Sequence, residues 1–240
     1  MKRIIFFLLF STLFAKNIPF SVGEKFTYEF RFNIFKAGTA SLEITDMDTI
    51  DGAPTYKIQF IATTDSWGNF VFPIRDTVSI WIDQNLLATR KIAKNINEGN
   101  YHKVTQTHIY TDKGFAISNQ DTVFISSAVQ DPYSLFYILR TFALRVGDNY
   151  HFTTIDGKKL TDIHLELEKK TRIKVVQQWW NCLKVRPFRS DGQALKNLGE
   201  MAIWFSDDAN KYPVRIKIKL KYGALTLNVL DINSTNAPHH

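Results

Sequence analysis

The side chains of this sequence whose type and spacing could do chemistry fall into a few groups. Asp76 and Asp83 are carboxylates of the kind that divide acid and nucleophile roles in glycoside hydrolysis. Seven positions apart on a continuous strand, they fall on opposite faces, so each needs a partner from elsewhere in the fold. Asp207, Asp208 and Asn210 cluster oxygen atoms as a calcium site would, in a run that also suits a turn. His102 and His108, about 20 Å apart along a strand, cannot share a metal. His151 and His164 flank a hairpin turn and leave a metal or acid–base pairing open, with hydrogen-bonded or exposed strand histidines the commoner outcome. Arg215, Lys217, Lys219 and Lys221 place four cations on one strand face, with Lys170, Arg172 and Lys174 on another strand. Such a stripe could hold phosphates or acidic sugars, or be a solvated outer face partly neutralised by Glu166 and Glu168. Aromatic side chains form the last group: Trp67, Phe70, Phe72 and Trp81 around Gly68, Trp179 and Trp180 in the second half, and Tyr137 between them. They are the candidate ligand-binding residues, against core packing as the ordinary use.

The signatures of familiar enzymes are missing from the chain. There is no G-x-S-x-G elbow, H-E-x-x-H pair, C-x-x-C, phosphate-binding loop or dinucleotide fingerprint, and no catalytic residue, metal or cofactor is assigned.

The elements that must position these groups are strands. Phe26, Tyr28, Phe30, Phe32 and Ile34 alternate with polar residues, and the same period of two recurs at Ala40–Ile44, Tyr56–Phe60, Val78–Ile82 and Val214–Leu220. Turn signals such as Asp51-Gly52, Gly99-Asn100, Lys113-Gly114 and Asp156-Gly157 punctuate them, as hairpins and meanders require. One segment differs. Asp131-Pro132 reads as a helix start, and Leu135, Phe136, Leu139, Phe142 and Ala143 follow at helical spacing, which predicts an apolar helix near 132–143. It should pack against the sheet or plug the mouth of a barrel.

The segments on either side of that helix echo one another. Val22-Gly23-Glu24-Lys25-Phe26-Thr27-Tyr28 resembles Val146-Gly147-Asp148-Asn149-Tyr150-His151-Phe152, and four further matches follow in order at offsets between 123 and 127. The expected fold is therefore all-β and mainly antiparallel, built of two diverged tandem units, about 22–118 and 146–232, forming curved sheets or a barrel-like sandwich. A groove between the two units is the place to look for a ligand.

Residues 1–15 read as a secretory signal peptide: Lys2 and Arg3, an apolar run from Ile4 to Phe14, then Ala15. The run is too short to span a bilayer, and the mature chain of residues 16–240 holds no transmembrane span. Export to the periplasm or beyond follows. Cys182 is the only cysteine, so no intrachain disulfide stabilises the fold. The net charge of +7 falls to +5 once Lys2 and Arg3 leave with the signal, a mild bias toward anionic partners. Compartment argues against nucleic acid.

The sequence also resembles an exported bacterial family, domain of unknown function 3108. The resemblance is carried by Val22–Tyr28, Lys36-Ala37-Gly38-Thr39-Ala40, Asp76–Asp83, Asp131–Leu135 leading to Leu144–Asp148, and Ile203–Asp208 before Tyr212-Pro213-Val214. It covers roughly residues 19–232 and implies an exported β-rich domain without supplying catalytic residues. The functions to weigh are a non-enzymatic binding or carrier protein for a hydrophobic or amphipathic envelope molecule, lipid or glycan, then a protein–protein interaction module in envelope assembly, then a glycan-acting enzyme.

Overall fold

The computed structural model describes residues 18–191, 200–220 and 223–234. The expected signal peptide of residues 1–15, Lys221 and the terminal His239-His240 lie outside these residues.

Alternating side chains make the strands, and the strands make one sheet. The first meander runs β1 (Lys25–Phe32), β2 (Phe35–Ile50), β3 (Ala53–Thr64), α1 (Ser66–Val71), β4 (Arg75–Asp83), β5 (Thr89–Glu98) and β6 (Tyr101–Tyr110), and continues into the short hairpin β7 (Phe115–Ser118) and β8 (Asp121–Phe124). The second runs β9 (Asn149–Asp156), β10 (Lys159–Val175), β11 (Gln178–Arg189), β12 (Met201–Ser206), β13 (Pro213–Leu220) and β14 (Gly223–Asn233). All are antiparallel neighbours in a single fourteen-stranded order, β8-β7-β6-β5-β4-β3-β2-β1-β14-β13-β12-β11-β10-β9. The junction of the two meanders is the β1–β14 ladder, from Lys25 opposite Asn233 to Phe32 opposite Leu225. The groove expected between two separate units is thus replaced by continuous backbone pairing.

The sheet curls on itself without closing. Its free edges, β8 and β9, come together through side chains and through the chain between them: Lys158 reaches Asp121 at 3.3 Å, and Gln130 forms an isolated parallel bridge with Thr154. The Thr89 amide donates to the Val129 carbonyl (3.1 Å), and the Gln130 amide to the Thr153 carbonyl (2.9 Å), so this linker ties β5 to β9.

Inward positions can be followed across the ladders: Tyr28 and Phe30 on β1, Ala40 and Leu42 on β2, Ile58 on β3, Val78 and Ile80 on β4, Ile203 and Phe205 on β12, Val214 and Ile216 on β13 form the buried core. β1 stops at Phe32. Ile34, expected as a fifth inward residue, lies in the β1–β2 turn and is exposed, because Asn33 takes a left-handed backbone (φ 52°) and reverses the chain.

The helix expected over 132–143 is shorter. One turn, α2 (Leu135–Ile138), passes into a 3₁₀ turn over Leu139–Thr141. Ser134 stands at its N-cap without a side-chain capping bond. Asp131, expected as the cap, accepts instead from the Tyr133 amide (2.8 Å) and pairs with Lys94 (3.0 Å). All seven residues except Thr141 are buried, as a plug must be.

Alternate connections of a meander fall at opposite ends. The β2–β3, β4–β5, β10–β11 and β12–β13 turns share one end with the plug and the segment before β1. The β1–β2 turn, α1, the β5–β6 turn and the β9–β10 turn lie at the other end, which the plug does not reach.

Candidate functional site

The plugged end is organised by one ion pair. Arg140 and Glu24 are each 1 % exposed. Arg140 Nη2 donates to Glu24 Oε2 (2.9 Å) and to the Pro19 carbonyl (2.9 Å), Nη1 to Glu24 Oε1, and Nε to the Asn210 carbonyl (2.8 Å). The rings of Phe20, Phe26, Tyr137 and Tyr212 surround its guanidinium at 5.3–5.7 Å. A charge buried this deeply is tolerated only when its donors are engaged, and these partners come from the N-terminal segment, the linker and the second meander. The site therefore seals one end by joining three distant stretches of chain. Neither residue was singled out in the sequence; the available signal was an arginine inside the apolar run Leu135–Phe142.

The open end is built differently. The inward rows that begin buried become half-buried toward it: Phe60 and Ala62 on β3, Ile96 on β5, Met201 on β12 and Leu227 on β14 pack against the core yet keep solvent contact. Phe60 stacks on Tyr133 at 4.4 Å, which makes Tyr133 the floor beneath them. Three ionisable groups share this inner wall. Lys94 is held between Asp131 (3.0 Å) and Asp156 (3.1 Å); burial works against its charge, but the two carboxylates hold it above the usual lysine value. Asp76 is buried, its Oδ1 accepting from the Asn97 amide (2.8 Å). Burial first, then its hydrogen-bonded neighbour Asp76, pushes the Glu98 carboxyl above the usual range. The carboxylate partner that Asp76 lacks on its own strand is thus supplied by Glu98, not by Asp83, which accepts from the Asn85 and Leu86 amides and pairs with Arg90.

The aromatic residues nominated from sequence do not meet. Trp67, Phe70 and Phe72 stand on and after α1 at the open rim. Gly68, expected in a turn, lies inside α1, whose N-cap Asp65 accepts from the Gly68 amide (3.0 Å). It is glycine because a Cβ there would sit 2.0 Å from the Ala37 carbonyl oxygen. Trp81 faces outward on β4, donating to Asp48 (3.0 Å) beneath the ammonium groups of Lys57 and Lys91. Tyr137 is a core residue; its hydroxyl has no hydrogen-bond partner among the described residues, and burial holds its phenol well above the usual value. Trp179 is exposed under Arg172. Trp180 lines a concavity of about 680 Å³ at the plugged end, with Val175, Tyr212, Val229 and Ile232 among its neighbours.

The cationic stripe is interrupted. Arg215 donates to Asn228 Oδ1 and to the Lys174 carbonyl (both 2.7 Å) and is half-buried, while Lys217 and Lys219 are exposed. Glu166 and Glu168, expected to neutralise it, pair with Arg186 and Lys184 instead. Lys170 pairs with Asp207 (2.8 Å). Asp208 Oδ1 accepts from the Asn210 and Lys211 amides (2.8 and 3.0 Å), so the oxygens proposed for calcium are spent on a turn. His151 and His164 do face each other across β9 and β10, ring centroids 5.0 Å apart. No group of three or more metal-ligating side chains occurs among the described residues. Burial pushes the Cys182 thiol up to about 12, which leaves no thiolate for nucleophilic chemistry at neutral pH.

These features define an antiparallel, barrel-like single-sheet protein, unclosed along one seam and plugged at one end by its own linker. The sequence matches the family described as "Protein of unknown function (DUF3108)" over residues 27–229, and the chain belongs to that family. No curated protein matches it. Its fold is similar to that of a β-barrel-like protein of domain of unknown function DUF1849 from Brucella abortus, with a TM-score of 0.58 at 10 % identity over 89 % of this chain and 98 % of that one. A DUF1089 family protein from Pseudomonas aeruginosa is also similar, with a TM-score of 0.41 at 8 % identity over 76 % and 90 % of the two chains. No helix among the described residues is long and apolar enough to cross a membrane.

Proposed function

We propose that the protein is an exported, non-enzymatic carrier that takes the apolar part of an envelope lipid or similar amphipathic molecule into the lumen at its open end. One observation supports this reading: beside Lys94, Asp76 and Glu98 the inner wall carries an apolar strip of Phe60, Ala62, Ile96, Met201 and Leu227 that keeps solvent contact, on the side the plug leaves uncovered. Export rests on the signal-peptide grammar of residues 1–15.

The concavity of about 680 Å³ at the plugged end fits an apolar ligand less well, since Gln177, Gln178, Asp208, Asn210 and Asp231 share its lining. Mature protein purified without detergent should release lipid on organic extraction, detected by mass spectrometry, and should bind a fluorescent fatty-acid probe. Ala62→Trp, which places a large ring in the lumen, should weaken probe binding by about tenfold with the fold intact. Empty preparations, together with probe affinity unchanged by Ala62→Trp, would refute the carrier reading.

A further inference from the structure

The open rim carries an arc of exposed apolar side chains that neither the core nor the lumen uses. Ile34 is 73 % exposed, Phe35 54 %, Trp67 43 %, Phe70 90 % and Phe72 49 %. Trp67, Phe70 and Phe72 lie on or just after α1, and Ile34 and Phe35 lie in and just after the β1–β2 turn at the same end of the sheet. Phe35, in the first position of β2, packs on Trp67 of α1 with ring centroids 5.2 Å apart. Phe72 leaves α1 and lies against Gly99 in the β5–β6 turn, where a Cβ would come within 2.9 Å of its ring. Large exposed apolar patches mark contact with a partner or a membrane.

The charges beside the arc distinguish these. Lys36 follows Phe35, and Arg75 opens β4 just beyond Phe72; both are exposed. The outward cations Lys217 and Lys219 run along β13 toward the same rim. There β14 is tied to the β1–β2 turn, the Asn33 amide donating to the Ala224 carbonyl (2.8 Å) and the Ala224 amide to Asn33 Oδ1 (2.9 Å). Of the nearby acids, Asp65 caps α1, Glu29 pairs with Arg31, and Glu200 lies 3.5 Å from Lys219, which leaves Lys36, Arg75 and Lys217 as the cations beside the arc. Aromatic side chains flanked by cations match the interface of an anionic bilayer, where rings enter the headgroup boundary and ammonium groups stay with the phosphates.

We propose that this rim docks the protein on an anionic lipid surface, Ile34, Phe35, Trp67, Phe70 and Phe72 entering the interface and Lys36, Arg75 and Lys217 contacting the headgroups. The inference goes beyond the carrier reading, because docking requires nothing in the lumen. It also points the lumen mouth at the membrane.

The test is sedimentation of the mature protein with vesicles of phosphatidylcholine, with and without about 30 % phosphatidylglycerol. Wild type should pellet with the anionic vesicles and be released by about 0.5 M salt. Ile34→Ser/Phe70→Ser should lower vesicle affinity about tenfold with an unchanged thermal melt, since neither side chain is buried in the fold. Lys36→Glu should weaken it further in low salt. Ala62→Trp should dock like wild type, which separates failure of the lumen from failure of the rim. Equal binding by Ile34→Ser/Phe70→Ser, equal binding to neutral and anionic vesicles, or no binding at all would overturn the proposal. So would rim-dependent dimerisation in sedimentation velocity without vesicle binding, which would make the patch a contact between two copies of this chain.

Discussion

The two meanders begin in the same way and then spend that beginning differently. Gly23 and Gly147 both have a left-handed backbone, φ 90° and 92°. Each donates its amide to the neighbouring strand, to the Ile44 and Leu167 carbonyls, both at 2.9 Å, and those residues donate back to the Glu24 and Asp148 carbonyls at 3.0 and 2.9 Å. A register shift follows at matching places, between Ile44 and Asp46 and between Leu167 and Lys169. Left-handed residues recur at Leu87 and Lys211 before the fifth strand of each meander. We propose on these grounds that the meanders are diverged copies of one six-stranded unit. The acids after the two glycines, however, have separate fates. Glu24 points into the plugged end and binds Arg140, whereas Asp148 is only half-buried, its Oδ2 accepting from the Arg145 amide and the Tyr150 hydroxyl (both 3.0 Å). One backbone motif serves as a seal in the first unit and as a surface turn in the second.

The largest way to break that contrast is Arg140→Ala. It leaves Glu24 buried without its cation and should cost about 3–5 kcal/mol, read as a fall in the denaturation midpoint. Combining Arg140→Met with Glu24→Leu should recover part of this, because the surrounding rings can pack an apolar side chain while the Pro19 and Asn210 carbonyls stay unpaired. If Arg140→Ala melts like wild type, the seal is not what holds the plug.

Gly38→Ala addresses α1 and its seat, which position the rim in the first unit. Its Cβ would lie 2.1 Å from the Thr63 carbonyl oxygen, so β2 and β3 must separate, at a cost of about 1–3 kcal/mol. Asp148→Ala should cost only about 1 kcal/mol, the worth of its surface hydrogen bonds. A loss as large as that of Arg140→Ala would erase the difference between the two acids.

The smallest effect concerns Glu98. Its folded pKa lies above the unfolded one, so its protonated form favours the native state. Stability is full below the unfolded value and falls as pH rises through the folded value. Glu98→Gln should therefore raise the melting temperature slightly at pH 7.5 and leave it unchanged near pH 4, in paired thermal melts. An equal shift at both pH values would remove the carboxyl pair from the account.

Much of this architecture was legible in the chain. The period-two rows around Phe26–Phe30, Ala40–Ile44, Val78–Ile82 and Val214–Ile216 determined the strands and their buried faces, because side chains alternate across a pleat whatever the sheet order. The apolar run after Asp131 marked the plug, and the offset echo is the sequence side of the proposed duplication. Local pattern carries no record of which strands become neighbours. The continuous β1–β14 junction, the meeting of Asp76 with Glu98, the burial of Arg140 against Glu24 and the exposure of Phe70 against the burial of Tyr137 were decided by tertiary structure. Each depends on groups brought together from distant parts of the chain. An aromatic side chain reads the same in sequence whether curvature turns it into the core or onto the rim.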